Sequence, residues 1–147
     1  PAGRTADQTI CLTDLLATAA AITDFKLPNN AGEDSFNLLP ALLGGREPVR
    51  EYTLHQTISL ALAIRHGDWK YLDHQGSGGN NYHRSGEWGM KQYALPEKAP
   101  SAPGQLYNLK TDPGETTNLY LEEIERAQTL KTKLEEFKRT GRSAPRN

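Results

Sequence analysis

Gln105-Leu106-Tyr107-Asn108-Leu109-Lys110-Thr111-Asp112-Pro113-Gly114-Glu115-Thr116-Thr117-Asn118-Leu119 places a strand, a turn and a helix start end to end. Gln105 to Leu109 has the apolar and aromatic content of a pairing strand. In Asp112-Pro113-Gly114-Glu115, Pro presets the backbone angle at the second turn position and Gly tolerates positive φ at the third, the composition of a type II turn. A helix is expected from about Leu119 to Lys138, with Leu121, Ile124, Ala127, Leu130, Leu134 and Phe137 on one face. Glu122/Arg126 and Glu135/Arg139 stand at supportive i,i+4 spacing, and Gly141 marks the end. No sustained heptad is present, so this helix is expected to cover a sheet rather than to pair as a coiled coil.

Upstream, Ala63-Ile64-Arg65-His66-Gly67-Asp68-Trp69-Lys70-Tyr71-Leu72 reads as a tight hairpin, with Gly67 permitting the turn. Tyr52 to His55 is a short strand candidate. Thr57 to Arg65 alternates Leu60, Leu62 and Ile64 with Ala61, Ala63 and Arg65 at the strand period. Closer to the start, Ile10, Leu12, Leu15, Leu16, Ala19 and Ala20 fit an amphipathic helix over Ile10 to Ile22, with Thr9 as N-cap. Phe25 to Gly32 breaks that helix with Pro, Asn and Gly, and Asp34 to Gly44 supplies a second, short one. The pattern predicts an α+β fold: N-terminal helices, a small antiparallel sheet of about four strands, and a long C-terminal helix packed on it.

The chain has 147 residues, enough for one domain with a single core. It opens Pro1-Ala2-Gly3-Arg4 with no initiator Met and no signal-peptide pattern, so an excised piece is expected, with 1–147 as one subdomain. The formal net charge of -1 argues against nucleic acid as a partner, because phosphate binding relies on clustered basic excess. Apolar runs fall short of the roughly 20 residues that a membrane helix needs, so no membrane partner is expected. The single Cys11 excludes an internal disulfide and a multi-Cys zinc site. Its apolar neighbours suggest a packed helix cysteine rather than a nucleophile.

Little chemistry is written in the motifs. The four histidines, His55, His66, His74 and His83, show no His-x3-His or His-Glu-x-x-His spacing, so no metal site is expected. No Gly-x-Ser-x-Gly elbow exists to anchor a serine triad, and no catalytic residue is assigned. Glu122, Glu123 and Glu125 suit the positive end of a helix dipole. Arg65 and Lys70 flank the hairpin and suit pairing across the sheet. Between the second and third hairpin-region strands, His74 to Gly104 is a Gly-, Asn-, Ser- and Pro-rich insertion of about 30 residues, a length found in functional and in mobile loops alike. Gly76-Ser77-Gly78-Gly79-Asn80-Asn81 lacks the strand and Lys-Ser/Thr helix that a phosphate loop requires. For sugar or sulfate recognition the segment is better equipped. Tyr82 and Trp88 could stack on a ring, while Asn80, Asn81, His83 and Arg84 could supply hydrogen bonds.

Four segments in order resemble the C-terminal subdomain of the sulfatases, the sulfuric ester hydrolases. Asp14-Leu15-Leu16-Ala17-Thr18 stands where the family has Asp-Leu-x-Pro-Thr, with Ala17 in place of Pro, and Phe36 to Leu43 resembles the Leu-x-Pro-Leu-Leu segment. Ala63 to Lys70 resembles the Ala-Ile-Arg-x-Gly-x-Trp-Lys hairpin, and Leu106 to Leu119 the Leu-Tyr-Asn-Leu-x-x-Asp-Pro-x-Glu-x-x-Asn-Leu turn. The resemblance implies an alkaline-phosphatase-like parent whose absent N-terminal catalytic domain carries formylglycine and Ca²⁺, with no cofactor in this portion. Cys11 is followed by Leu12, Thr13, Asp14 and Leu15, which does not match the formylglycine pattern Cys/Ser-x-Pro/Ala-x-Arg. The catalytic domain is then the expected partner, and a sulfated glycan or aryl ester the expected substrate class. In that setting His55 and the His74 to Trp88 loop, with His74, Asn80, Asn81, Tyr82, His83, Arg84 and Trp88, are the candidate substrate contacts. Family members are often exported, which leaves the periplasm or the medium open as a location. A noncatalytic carbohydrate-binding or interaction module remains the alternative, and a purely structural scaffold is compatible with the first reading.

Overall fold

The computed structural model describes residues 3, 5–76, 85–87, 89, 91 and 99–145. The elements, in chain order, are α1 (Leu15–Ile22), α2 (Leu39–Leu42), β1 (Tyr52–Gln56), β2 (Leu62–His66), β3 (Trp69–Leu72), β4 (Gln105–Asn108) and α3 (Ile124–Thr140). The strands form one sheet in the order β1-β2-β3-β4. The α+β class predicted from the sequence is the one observed. The chain divides into two compact units, one of residues 1–53 and 135–147, the other Leu54–Leu134.

The second unit is built on the hairpin. β2 and β3 pair antiparallel through Ala63↔Leu72, Ile64↔Tyr71, Arg65↔Lys70 and His66↔Trp69, closed by Gly67 at φ 56. β4 adds to β3 antiparallel, from Trp69↔Asn108 to Leu72↔Gln105. Ile64, Tyr71 and Leu106 are the buried centre of the sheet, and Ala127, Leu130 and Leu134 are the buried stripe of α3. Those helix positions recur at i, i+3 and i+7, which puts them on one face. Arg126 lies over the Trp69 ring at 4.3 Å and Lys131 pairs with Asp73 at 3.6 Å. Leu121 and Ile124, expected on the same stripe, are 47% and 44% exposed.

Several boundaries differ from the sequence expectation. Thr57 to Ala61 is a turn, not the start of a strand: Thr57 N–H donates to Ala61 O at 2.9 Å and Ala61 N–H to Thr57 Oγ1 at 3.1 Å. Leu60 takes φ 64 to allow this closure, so its side chain leaves the strand alternation and is 71% exposed. The Asp112 turn is not type II, because Gly114 is not at positive φ and Glu115 is, at 53°. The cause is the Asp112 carboxylate, which accepts from the Thr116 and Thr117 amides, each at 2.8 Å, and draws the chain back over itself. The helix begins at Ile124 rather than near Leu119, because Leu119 N–H donates to Leu106 O at 2.8 Å and Tyr120 N–H to Asn118 Oδ1 at 3.0 Å. These ties hold the segment against β4. The helix ion pairs are Glu123/Arg126 and Glu135/Lys138, at i,i+3, in place of the expected i,i+4 partners. Gly141 ends the helix at φ 68, its N–H donating to Phe137 O at 2.9 Å.

The first unit has a polar centre. Asp14 ends a 3-10 turn, Leu12–Asp14, that leads into α1. The N-terminal position of this turn is Cys11, not Thr9, and Cys11 N–H donates to Asp14 Oδ2 at 2.8 Å. Asp14 Oδ1 accepts from Phe36 N–H at 3.0 Å and faces Arg50 Nη2 at 3.5 Å, with the two side chains 0% and 2% exposed. Thr18 Oγ1 donates to Asp14 O and accepts from Leu38 N–H. The buried residues of α1 are therefore Thr18 and Ala20, whereas Leu12, Leu15 and Leu16 point outward at 85%, 63% and 49% exposure. The apolar stripe expected to face a core faces out instead, because the hydrogen-bonding side of the helix is the one that closes the unit. The Asp34 to Gly44 helix shrinks to the four residues of α2.

Candidate functional site

In an antiparallel meander, the end of β1, the start of β2, the end of β3 and the start of β4 lie at one end of the sheet. His55 is the next-to-last residue of β1 and is exposed. His74 follows β3 by two residues and is half-buried. Strand order therefore brings these two sequence-predicted contacts to the same end of the second unit, together with both stems of the 74–104 insertion. Asn80, Asn81, Tyr82, His83, Arg84 and Trp88 lie outside the described residues. The hairpin turn at Gly67 and the Asp112 turn occupy the other end.

The stems are joined by amide side chains that the sequence reading missed. Gln105 Nε2 donates to His74 O at 3.0 Å and to Gly76 O at 2.7 Å, while Gln105 Oε1 accepts from Tyr107 Oη at 2.6 Å. Gln75 Nε2 donates to Ala102 O at 2.7 Å. Asn118 Nδ2 donates to Gly104 O at 3.2 Å. Gly104 itself has no room for a side chain, since a Cβ would sit 2.8 Å from Leu72 O. The placement of Gln105 and Tyr107 two residues apart on one strand was the one signal in the sequence, and only the apolar content of that strand was interpretable without the fold. Tyr71 Oη donates to Asp73 Oδ1 at 2.8 Å at the same end.

The remaining charged candidates have structural partners. Lys70 Nζ meets Glu115 Oε1 at 2.6 Å, and Arg65 Nε donates to Gly67 O at 2.8 Å. His66 is exposed beside the turn. Among the described residues, no group of three or more His, Cys, Asp or Glu side chains could hold a metal ion. Asp14 is occupied by Arg50 and two backbone amides, and Cys11 lies outside any formylglycine pattern. The Ca²⁺ and formylglycine of the sulfatases therefore do not fit the described residues, and no chemical step is assigned to them here. Among the described residues no helix is long and apolar enough to cross a membrane.

Cys11 is half-buried at the helix start rather than packed within a helix. Burial pushes its thiol up, but hydrogen bonding with Thr13 and the nearby Arg50 guanidinium outweigh this, and the thiol sits below its ordinary value. A lowered thiol pKa adds stability above the unfolded value, and that contribution is lost as pH falls through the folded value. Native Cys11 should consequently react with iodoacetamide at lower pH than the unfolded chain does. Thr13→Val should move the onset back up. Identical pH–rate profiles for native and urea-unfolded protein would rule this out.

The four-stranded antiparallel sheet, the N-terminal helices and the long α3 make an α+β fold, consistent with that of a sulfatase C-terminal subdomain. The comparisons agree. The chain is 32% identical over 125 residues to the N-acetylgalactosamine-6-O-sulfatase of Bacteroides thetaiotaomicron, covering 85% of this chain and 22% of that protein. A solved structure from work on the metabolism of multiple glycosaminoglycans by Bacteroides thetaiotaomicron matches with a TM-score of 0.65 at 32% identity, over 85% of this chain and 24% of that one. Ps i-CgsB in complex with k-i-k-neocarrahexaose matches with a TM-score of 0.60 over 93% of this chain and 26% of that one. Its 22% identity bears on the fold alone. No family model matches the chain. The sulfatase resemblance is borne out: the chain is homologous to one part of a sulfatase and spans 22% of the curated relative's length.

Proposed function

We propose that this chain is the C-terminal part of a sulfatase that hydrolyses sulfate esters of sulfated carbohydrate, and that it shapes the substrate pocket rather than performing the chemistry. The 32% identity to an N-acetylgalactosamine-6-O-sulfatase carries this reading and points to a 6-O-sulfated amino sugar as the substrate class. The end of the sheet that bears His55 and His74 is the surface proposed to meet substrate, with Asn80, Asn81, Tyr82, His83, Arg84 and Trp88 of the insertion contributing stacking and hydrogen bonds. The proposed partner is the N-terminal catalytic domain, covering the outward apolar residues Leu12, Leu15, Leu16, Ile22 and Phe25, which are 49–85% exposed. In such a parent, the catalytic domain supplies formylglycine and Ca²⁺ by family resemblance, and this chain supplies the wall of the pocket.

The test compares this chain with its parent on 6-O-sulfated N-acetylgalactosamine and on an aryl sulfate, both with Ca²⁺ present. The chain alone should release no sulfate above background, whereas the parent should turn over the sulfated sugar. Calcium-dependent turnover by the chain alone would overturn the assignment, as would a parent inert on every sulfate ester.

A further inference from the structure

Gln105 is 6% exposed, and both of its amide hydrogens and its oxygen are engaged in hydrogen bonds. Its two amide hydrogens go to the carbonyls of His74 and Gly76, and its oxygen takes the Tyr107 hydroxyl proton. Only one orientation of the amide fits, because two carbonyl oxygens require the NH₂ end. The carbonyls on both sides of Gln75 are thereby fixed, while Gln75 itself reaches across to Ala102 O on the other stem. His74 is left with its backbone clamped and its ring half-exposed, Nδ1 lying 3.2 Å from Gln75 O. With the carbonyls on both sides of Gln75 held by a buried amide and Nδ1 against Gln75 O, the imidazole has a defined direction, which an ordinary loop residue lacks.

We propose that Gln105 is a positioning residue for His74: by holding the His74 and Gly76 carbonyls it aims the imidazole at the sugar bound at this end of the sheet. The proposal rests on the reading of His74 as a substrate contact. Removing the clamp leaves His74 present but undirected. Substrate binding then weakens while the chemical step, carried elsewhere in the parent, proceeds as before.

The experiment is steady-state kinetics of the full-length parent on a 6-O-sulfated N-acetylgalactosamine oligosaccharide, with His74→Ala, Gln105→Met and the double variant. Each single variant should raise KM by roughly tenfold with kcat held within about twofold, the signature of lost uniform binding. The double variant should be no worse than His74→Ala, since the clamp acts only through the ring. If Gln105→Met does not fold, Gln105→Asn serves. It keeps a neutral amide one methylene too short to hold both carbonyls, and it should reproduce the KM effect. A KM effect in His74→Ala with none in the Gln105 variants, or additive effects, sinks the positioning role and leaves the substrate reading intact. No effect in His74→Ala sinks both. A uniform loss of kcat with lowered melting temperature in the Gln105 variants assigns the residue to stability and overturns the proposal.

Discussion

Asp14→Ala should lower the stability of the first unit by about 3–5 kcal/mol, the range expected when one partner of a buried ion pair is removed. The size follows from what stays behind. Arg50, with its side chain 2% exposed, would keep its charge and lose its counterion. Its Nε and Nη1 already make no hydrogen bond to a nitrogen or oxygen acceptor among the described residues. Nη2 has the oxygen partners Asp34 O at 3.1 Å and Asp14 Oδ1 at 3.5 Å, the Cys11 thiol also bonds to the guanidinium, and the Phe36 ring lies 4.6 Å away. The amides of Cys11 and Phe36 would also lose their acceptor. Urea unfolding gives the overall loss, and hydrogen exchange at the α1 amides localises it. Arg50→Met alone leaves the opposite charge stranded and should cost a similar amount. Combining Asp14→Leu with Arg50→Met should be less damaging than either single change, because an apolar pair needs no counterion. A loss below about 1 kcal/mol in Asp14→Ala would place the pair in effective contact with water and refute the account.

The elements that could be read from the sequence are those whose causes are local. The β2–β3 hairpin was legible because Gly67 meets a two-residue turn between runs of strand formers. The buried seam Ala127, Leu130 and Leu134 was legible from helical spacing alone. What escaped depends on partners distant in sequence. Phe36 N–H, 22 positions from Asp14, turns an ordinary helix-start aspartate into the hub of a unit. That hub decides which side of α1 faces in, so the hydrophobic period pointed the wrong way. The start of α3 was displaced by Leu106 O and Asn118 Oδ1, neither of which a propensity argument can weigh. The candidate site was legible only in part. His55 and His74 were selected for their chemistry, and their common location came from the strand order, but Gln105 was invisible as a clamp because its acceptors are backbone carbonyls near residue 75.

Asn118→Ala should cost about 2–5 kcal/mol, because it strips a buried residue of three bonds and leaves at least two amides without an acceptor. Asn118 Oδ1 accepts from Leu106 and Tyr120 N–H, each at 3.0 Å, and Nδ2 donates to Gly104 O at 3.2 Å, with the residue 8% exposed. Its neighbours in the 105–119 stretch act in the same manner. Leu109 N–H donates to Asp68 O at 2.7 Å, and Lys70 of the hairpin meets Glu115 of the turn at 2.6 Å. The two segments that carry the sulfatase resemblance most clearly are thus bolted to one another, and their residues are engaged in holding β3, β4 and the approach to α3. A signature of this kind identifies a relative through the contacts that hold its fold. Asn118→Asp separates the two halves of the amide's role. At neutral pH the carboxylate keeps the two amides but sets a second oxygen against Gly104 O. Its folded pKa should rise above the unfolded one, so its stability should be present in acid and be lost as pH increases through the folded value. Thermal unfolding of both variants at acid and neutral pH checks this. Full stability of Asn118→Ala, or an Asn118→Asp variant indifferent to pH, would show that the amide is not the joint between β4 and α3.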